Sequence, residues 1–141
     1  MSDRDDSKRT HRVDLHQVSL EGDDQFHVKF VGDTTLQHAI EITDWIVHNL
    51  KNVRGAYLIC DLRSAGSLDA ATRRFVADWV SRYELSGIAN YGAGLLTRTF
   101  SKLAISAMRA LRQQPVENHF FSSEAESRAW VAGHRQRRAK T

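Results

Sequence analysis

The chain has one cysteine, one proline and two methionines among its 141 residues, and no segment approaches the ~20 consecutive apolar residues of a membrane helix. A single thiol, Cys60, excludes an internal disulfide framework and a four-cysteine zinc site, and suits a reducing compartment. The seven histidines form no His-x-x-x-His pair and no Cys/His cluster, so no structural metal site is expected. A Ser-His-Asp set, a nucleophile elbow and a phosphate loop are all missing. Neither an enzyme nor a cofactor is therefore expected. The start, MSDRDDSKRT, is polar and mixed in charge, unlike a secretory signal, so the expectation is a soluble cytoplasmic protein.

What is present fits one domain, long enough to bury roughly two-thirds of its unfolded surface. No internal repeat divides it, and no linker is long enough to separate two domains. The net charge of +3 is uneven, with residues 1–96 at −3 and residues 97–141 at +6. A basic C-terminal third permits attraction to nucleic acid, anionic lipid or an acidic protein without choosing among them.

The most informative stretch is Ala56 to Asp69, AYLICDLRSAGSLD. Tyr57, Leu58, Ile59, Cys60 and Leu62 form the short apolar run of a strand buried on both faces. Such a strand delivers Asp61 and a loop through Ser67 to the carboxyl edge of the sheet, where open α/β folds place their working surface. Upstream, residues 1–11 have no apolar periodicity and are expected to be disordered. HRVDLHQVSL, from His11, reads as one weak strand, and QFHVKFVGD alternates through Phe26, Val28 and Phe30. The EGDD between them predicts an antiparallel hairpin with His16 and His27 facing solvent.

Thr34 and Gln37 have capping-box spacing before a helix carrying Leu36, Ala39, Ile40, Ile46, Val47 and Leu50, with Gln37, Glu41, Asp44 and His48 on its wet side. After the buried strand, Ser67 or Asp69 caps a second helix with Leu68, Ala71, Phe75, Trp79 and Tyr83 inward. Gly87 to Tyr91 reads as a strand. A third helix is expected to about Gln113, carrying Leu96, Phe100, Leu103, Ala107 and Leu111 and closed by Pro115. Asn118 to Phe121 reads as a last short strand, with His119 partly buried, and Ser123 with Glu126 caps a final helix. The order ββαβαβαβα gives a single-domain α/β fold with a mixed sheet of about five strands and about four helices. Its folded part spans 12–132, followed by a basic tail at 133–141.

The element order and the segment LICDLRSAGSLDAAT resemble the STAS fold of anti-sigma-factor antagonists, in its SpoIIAA-like (STAS/SEC14-like) branch. FVGDTT and FFSSEAESRAWV extend the likeness, which covers roughly residues 13–132. The resemblance implies a non-catalytic bacterial regulatory module that docks a protein partner through the loop after the central strand. The residues so implicated are Asp61, Ser64, Ser67, Asp69, Thr72, Arg73 and Arg74. In phospho-regulated members an Asp-Ser-Ser-Gly motif there accepts phosphate. In this chain the Asp matches Asp69, the hydroxyl positions are Ala70 and Ala71, and Thr72 falls on the Gly, so that switch is not expected. The SEC14-like label implies, as an alternative, a carrier of a lipid or other apolar small molecule in a cavity lined by Phe75, Leu95, Leu96, Phe100 and Leu103.

Other residues carry a chemical and a plain reading side by side. Asp61 and Asp69 could pair as acid/base or cation ligands, or accept loop amides and cap a helix; no third ligand is evident. Cys60 is a reactive thiol or a small core residue. Gly92-Ala-Gly94 before a helix, with Thr97, Arg98 and Phe100, offers an anion or ligand site, or is a plain turn; Gly-x-Gly-x-x-Gly is incomplete. Arg98, Lys102, Arg109 and Arg112 form a basic stripe, usually a solvated face. Without interleaved aromatics, nucleic-acid binding is not expected. Ile105 and Met108 offer a homodimer contact.

Overall fold

The computed structural model describes residues 9–50, 55–94 and 116–139. Within them run β1 (Thr10–Val13), β2 (His16–Glu21), β3 (Gln25–Thr34), α1 (Leu36–Leu50), β4 (Tyr57–Leu68), α2 (Ala70–Arg82), β5 (Gly87–Tyr91), β6 (Asn118–Phe121) and α3 (Glu124–Ala139). The strands form one mixed sheet in the order β1-β2-β3-β4-β5-β6. β1, β2 and β3 pair antiparallel, and β3, β4, β5 and β6 pair parallel. The expected third helix, with its basic stripe and the Ile105–Met108 contact, lies outside the described residues.

The strand expected over 11–20 is two. Asp14 adopts φ 55°, which a short polar side chain tolerates, and a tight turn brings Val13 opposite His16. The described residues therefore hold six strands rather than about five, and three helices. The turn also resets which side chains face inward. His16 falls in phase with Val18 and is 1% exposed, contrary to its expected solvation.

Alternation along β4 builds both layers of the core. Leu58 and Cys60 face α1 and α2, packing with Val18, Phe26, Val28, Ile42, Ile46, Trp79 and Ile88. Tyr57 and Ile59 face α3, packing with Ala89, Tyr91 and Val131. His27 points to that second face and is half-buried, not solvated.

The helix caps sit close to their sequence signals. At α1 the reciprocal box is Thr35 with His38, one residue beyond Thr34 and Gln37: Thr35 Oγ1 accepts the His38 amide at 3.1 Å, and His38 Nδ1 accepts the Thr35 amide at 3.2 Å. Thr34 is still strand and buried. The inward face of α1 is Ala39, Ile42, Thr43 and Ile46, while Leu36 is exposed. The inward face of α2 is Thr72, Trp79 and Val80, and Ala71 is exposed. Ser123 Oγ caps α3 by accepting the Glu126 amide at 3.2 Å. That helix continues to Ala139 through most of the basic segment.

His16 closes the junction of β2 and β3. Its Nδ1 accepts the Val31 amide at 3.0 Å, and its ring lies edge-on to His38 at 4.9 Å. Burial, then the neighbouring His38, lowers its pKa below 6.5, with Asp33 and Asp14 opposing. Burial lowers His27 in the same direction. The unfolded chain therefore binds protons on these rings more tightly than the fold does, and stability falls as pH drops below 6.5. Denaturant midpoints measured at intervals from pH 8 to 5 should show this loss. His16→Asn, whose amide oxygen can accept the Val31 amide without titrating, should flatten part of it; an unchanged slope would contradict the assignment.

Candidate functional site

The carboxyl edge of the sheet differs from the expected loop. β4 is paired with β5 only as far as Asp61 opposite Tyr91, but it continues along β3 to Leu68. Ser64 lies opposite Val31, Ala65 opposite Gly32 and Leu68 opposite Thr34, across two register shifts. Residues 63–68 are therefore strand. Asp33 clips the two segments together: its Oδ1 accepts the Ser67 amide at 2.8 Å and the Ser67 hydroxyl at 3.1 Å. These bonds hold its carboxyl below the usual carboxylate range. Gly66 permits the approach, since a Cβ there would stand 2.8 Å from the Asp33 amide nitrogen.

Asp69 ends this ribbon and caps α2, its Oδ1 accepting the Thr72 amide at 2.8 Å. That bond holds its pKa low. Thr72 is fully buried, and Asp61 is 2% exposed. Neither can meet a partner surface directly. Ser67 and Asp69 are exposed but engaged in the edge's own bonds. Arg73 is half-buried, with Nη1 donating to the Leu68 carbonyl. Ser64, Ala70, Ala71 and Arg74 are exposed along one continuous run of backbone.

Beside this edge, on the α3 face, lies a polar network that the sequence reading did not assemble. Arg63 grips Asp61 through Nε at 3.0 Å and Nη2 at 2.8 Å, and its amide adds a bond at 3.1 Å. The guanidinium contact is the main cause that keeps the Asp61 carboxyl ionised despite burial. Arg63 also lies 5.4 Å from the centre of the Tyr91 ring. The Tyr91 hydroxyl donates to Glu124 at 3.3 Å, so it accepts from His27 Nε2 at 2.8 Å. Arg128 joins Glu124 to Glu21. The sequence carried one local hint of this, two residues apart on one strand face: Asp61 and Arg63.

Chemically, the network holds side chains in place. Burial, then Asp61 and Glu124, raises the Tyr91 pKa, so its hydroxyl stays protonated. Burial keeps His27 neutral and pushes the Cys60 thiol up to about 12, far from a reactive thiolate. Among the described residues no group of three or more His, Cys, Asp or Glu is placed to hold a metal ion.

Gly92 belongs to this network. Its φ of 76° and missing side chain make room for Arg63, whose Cγ would lie 2.2 Å from an added Cβ. Gly94 is exposed, and Thr97, Arg98 and Phe100 of the expected anion site lie outside the described residues.

This arrangement of strands and helices is matched among solved structures. A protein of the DUF3478 family from Shewanella loihica PV-4, described as having a SpoIIAA-like fold, aligns with TM-score 0.62 and 18% identity over 85% of this chain and 98% of that one. The chain has a SpoIIAA-like fold. The anti-sigma factor antagonist SpoIIAA in its unphosphorylated form aligns with TM-score 0.52 and 12% identity, over 84% of this chain and 99% of its own. No protein-family model and no curated protein matches the sequence. The described elements of the SpoIIAA-like fold include no helix long and apolar enough to cross a membrane.

Gly92→Ala should cost about 1–3 kcal/mol in urea unfolding, because alanine is strained at positive φ and also displaces Arg63. Arg63→Ala should destabilise more than Asp61→Asn/Arg63→Ala, since the single change leaves a buried carboxylate without its cation. Equal losses in the two Arg63 variants would show that Asp61 does not depend on Arg63.

Proposed function

We propose that the chain is a non-catalytic STAS-like module that docks a partner protein on the carboxyl edge of its sheet, acting in the cytoplasm of a bacterium. The observation that carries this reading is the clipped β3–β4 projection. It fixes the backbone of 63–69 and carries the side chains of Ser64, Ala70, Ala71 and Arg74 outward, none of them in a side-chain bond described within the fold. Surfaces of this kind recognise by shape and a few charges, with little ordering entropy lost on binding.

One structural neighbour is an anti-sigma factor antagonist in its unphosphorylated form. Regulatory docking by this chain is the reading carried over from it. A phosphorylation switch is not, because the matching positions are Ala70 and Ala71, at the start of α2. The alternative, an apolar carrier, draws no support from the described residues. Two depressions among them, of about 480 and 580 Å³, are open and lined largely by charged and polar residues such as Glu84, Ser86, Glu117 and Arg138, or Asp23, Asp24 and Arg128. Apart from Phe75, the side chains expected to line an apolar cavity lie outside the described residues.

A photo-crosslinking residue placed at Ser64 or Ala71 should trap one protein partner in the native host, and Arg74→Glu should abolish the product. The same crosslinker at Glu41, on the exposed side of α1, should trap none; equal trapping from Glu41 would refute docking at this edge. Intact-mass analysis of the native protein should show no phosphate, and phosphorylated Ser64 or Ser67 would overturn the unswitched reading.

A further inference from the structure

The attachment of α3 to the sheet is unusual in its chemistry. Its buried residues are Ser127 and Val131, with Trp130 half-buried against Gly87. Trp130 also packs on the Tyr57, Ile59 and Ala89 cluster, with its ring centre 4.8 Å from that of His119 and 6.2 Å from that of Phe121. The other described contacts are carried by charged and polar side chains. Arg128 forms two bonds to Glu21, at 2.8 and 2.9 Å. Two turns further on, Arg135 meets Asp24 at 2.6 and 2.7 Å and Gln25 at 2.9 Å, while lying 4.7 Å from the centre of the Tyr57 ring. His134 bridges the Tyr57 hydroxyl at 2.7 Å and Glu117 at 2.8 Å, and Arg138 reaches Ser86.

The Arg128 and Arg135 side chains are 37% and 41% exposed, so solvent and salt reach these pairs. The strands beneath are held differently. Tyr57, Ile59 and Ala89 are fully buried, and β4 is hydrogen-bonded on both sides. A helix held by one buried aliphatic side chain, one half-buried tryptophan and solvent-reached ion pairs opens more cheaply than such strands.

We propose that α3 is a charge-held strap, which leaves the sheet as a unit before the rest of the molecule unfolds and uncovers the Tyr57, Ile59, Ala89 and Tyr91 face. The two arginine clamps, at Glu21 and at Asp24, set its closed population. This strap lies on the opposite side of β4 from α1 and α2 and does not depend on docking at the carboxyl edge.

Amide hydrogen exchange on the full chain tests it, with the amides of Ile59 and Ala89 as the internal reference. Raising sodium chloride from about 0.01 M to about 1 M shortens the screening length from about 30 Å to about 3 Å. Over that range exchange in α3 should accelerate roughly five- to thirtyfold, with the reference amides changing less. At low salt Arg135→Asp should give the same selective acceleration, and Asp24→Arg/Arg135→Asp should reverse it. Equal protection of α3 and the reference strands at every salt concentration would overturn the strap. So would a double variant as labile as the single one. If Arg135→Asp does not fold, the salt series on the unaltered chain decides alone.

Discussion

The parallel pairing of β4 with β3 and β5 is the constraint on which the remainder depends. Five consecutive residues, Tyr57 to Asp61, are buried there, and their alternation supplies both layers of the core. Each fully buried large apolar side chain in such a strand contributes about 1.5–3 kcal/mol relative to exposure. The pairing with β5 stops at Asp61 opposite Tyr91, while the strand itself runs on beside β3. Asp61 occupies that boundary, and Arg63, folding back over Tyr91 and Gly92, makes its burial tolerable.

From that boundary the edge follows. Once past β5, β4 has β3 as its described strand neighbour, and Asp33 fastens the pair at Ser67. Asp69 then turns the chain into α2 at a fixed angle through its cap. Three aspartates thus do local structural work: Asp61 marks the end of the β5 pairing and holds Arg63, Asp33 clips the ribbon and Asp69 starts the helix. The exposed positions between and after them inherit a fixed backbone, the property that the proposed contact surface requires.

Much of this was legible in the residues, and the failures have physical causes. The buried strand was readable from its unbroken apolar run, and the EGDD hairpin from alternation on both sides. The caps at Asp69 and Ser123 were readable from side-chain chemistry. The split at Asp14 was not, because a turn made by one left-handed aspartate leaves no glycine or proline behind. Missing it put His16 on the solvent face, although it shares the inward phase of Val18. Arg-Ser-Ala-Gly-Ser after Leu62 has the composition of a loop and becomes strand through pairing with β3 and the Asp33 clip, a bond spanning 34 residues that no local pattern records. The polar network is harder still, since it joins Glu21, His27, Asp61, Tyr91 and Glu124 with Arg128 across five elements.

Residues 63–68 form an ordered ribbon beneath the proposed contact surface, in contrast to a loop that orders on binding. Backbone ¹⁵N relaxation of the free protein measures this directly. The ribbon predicts order parameters for Ser64, Ala65 and Ser67 close to those of Ile59 and Ala89, at about 0.85. Values below about 0.6 across these residues, with the β4 core remaining rigid, would contradict it.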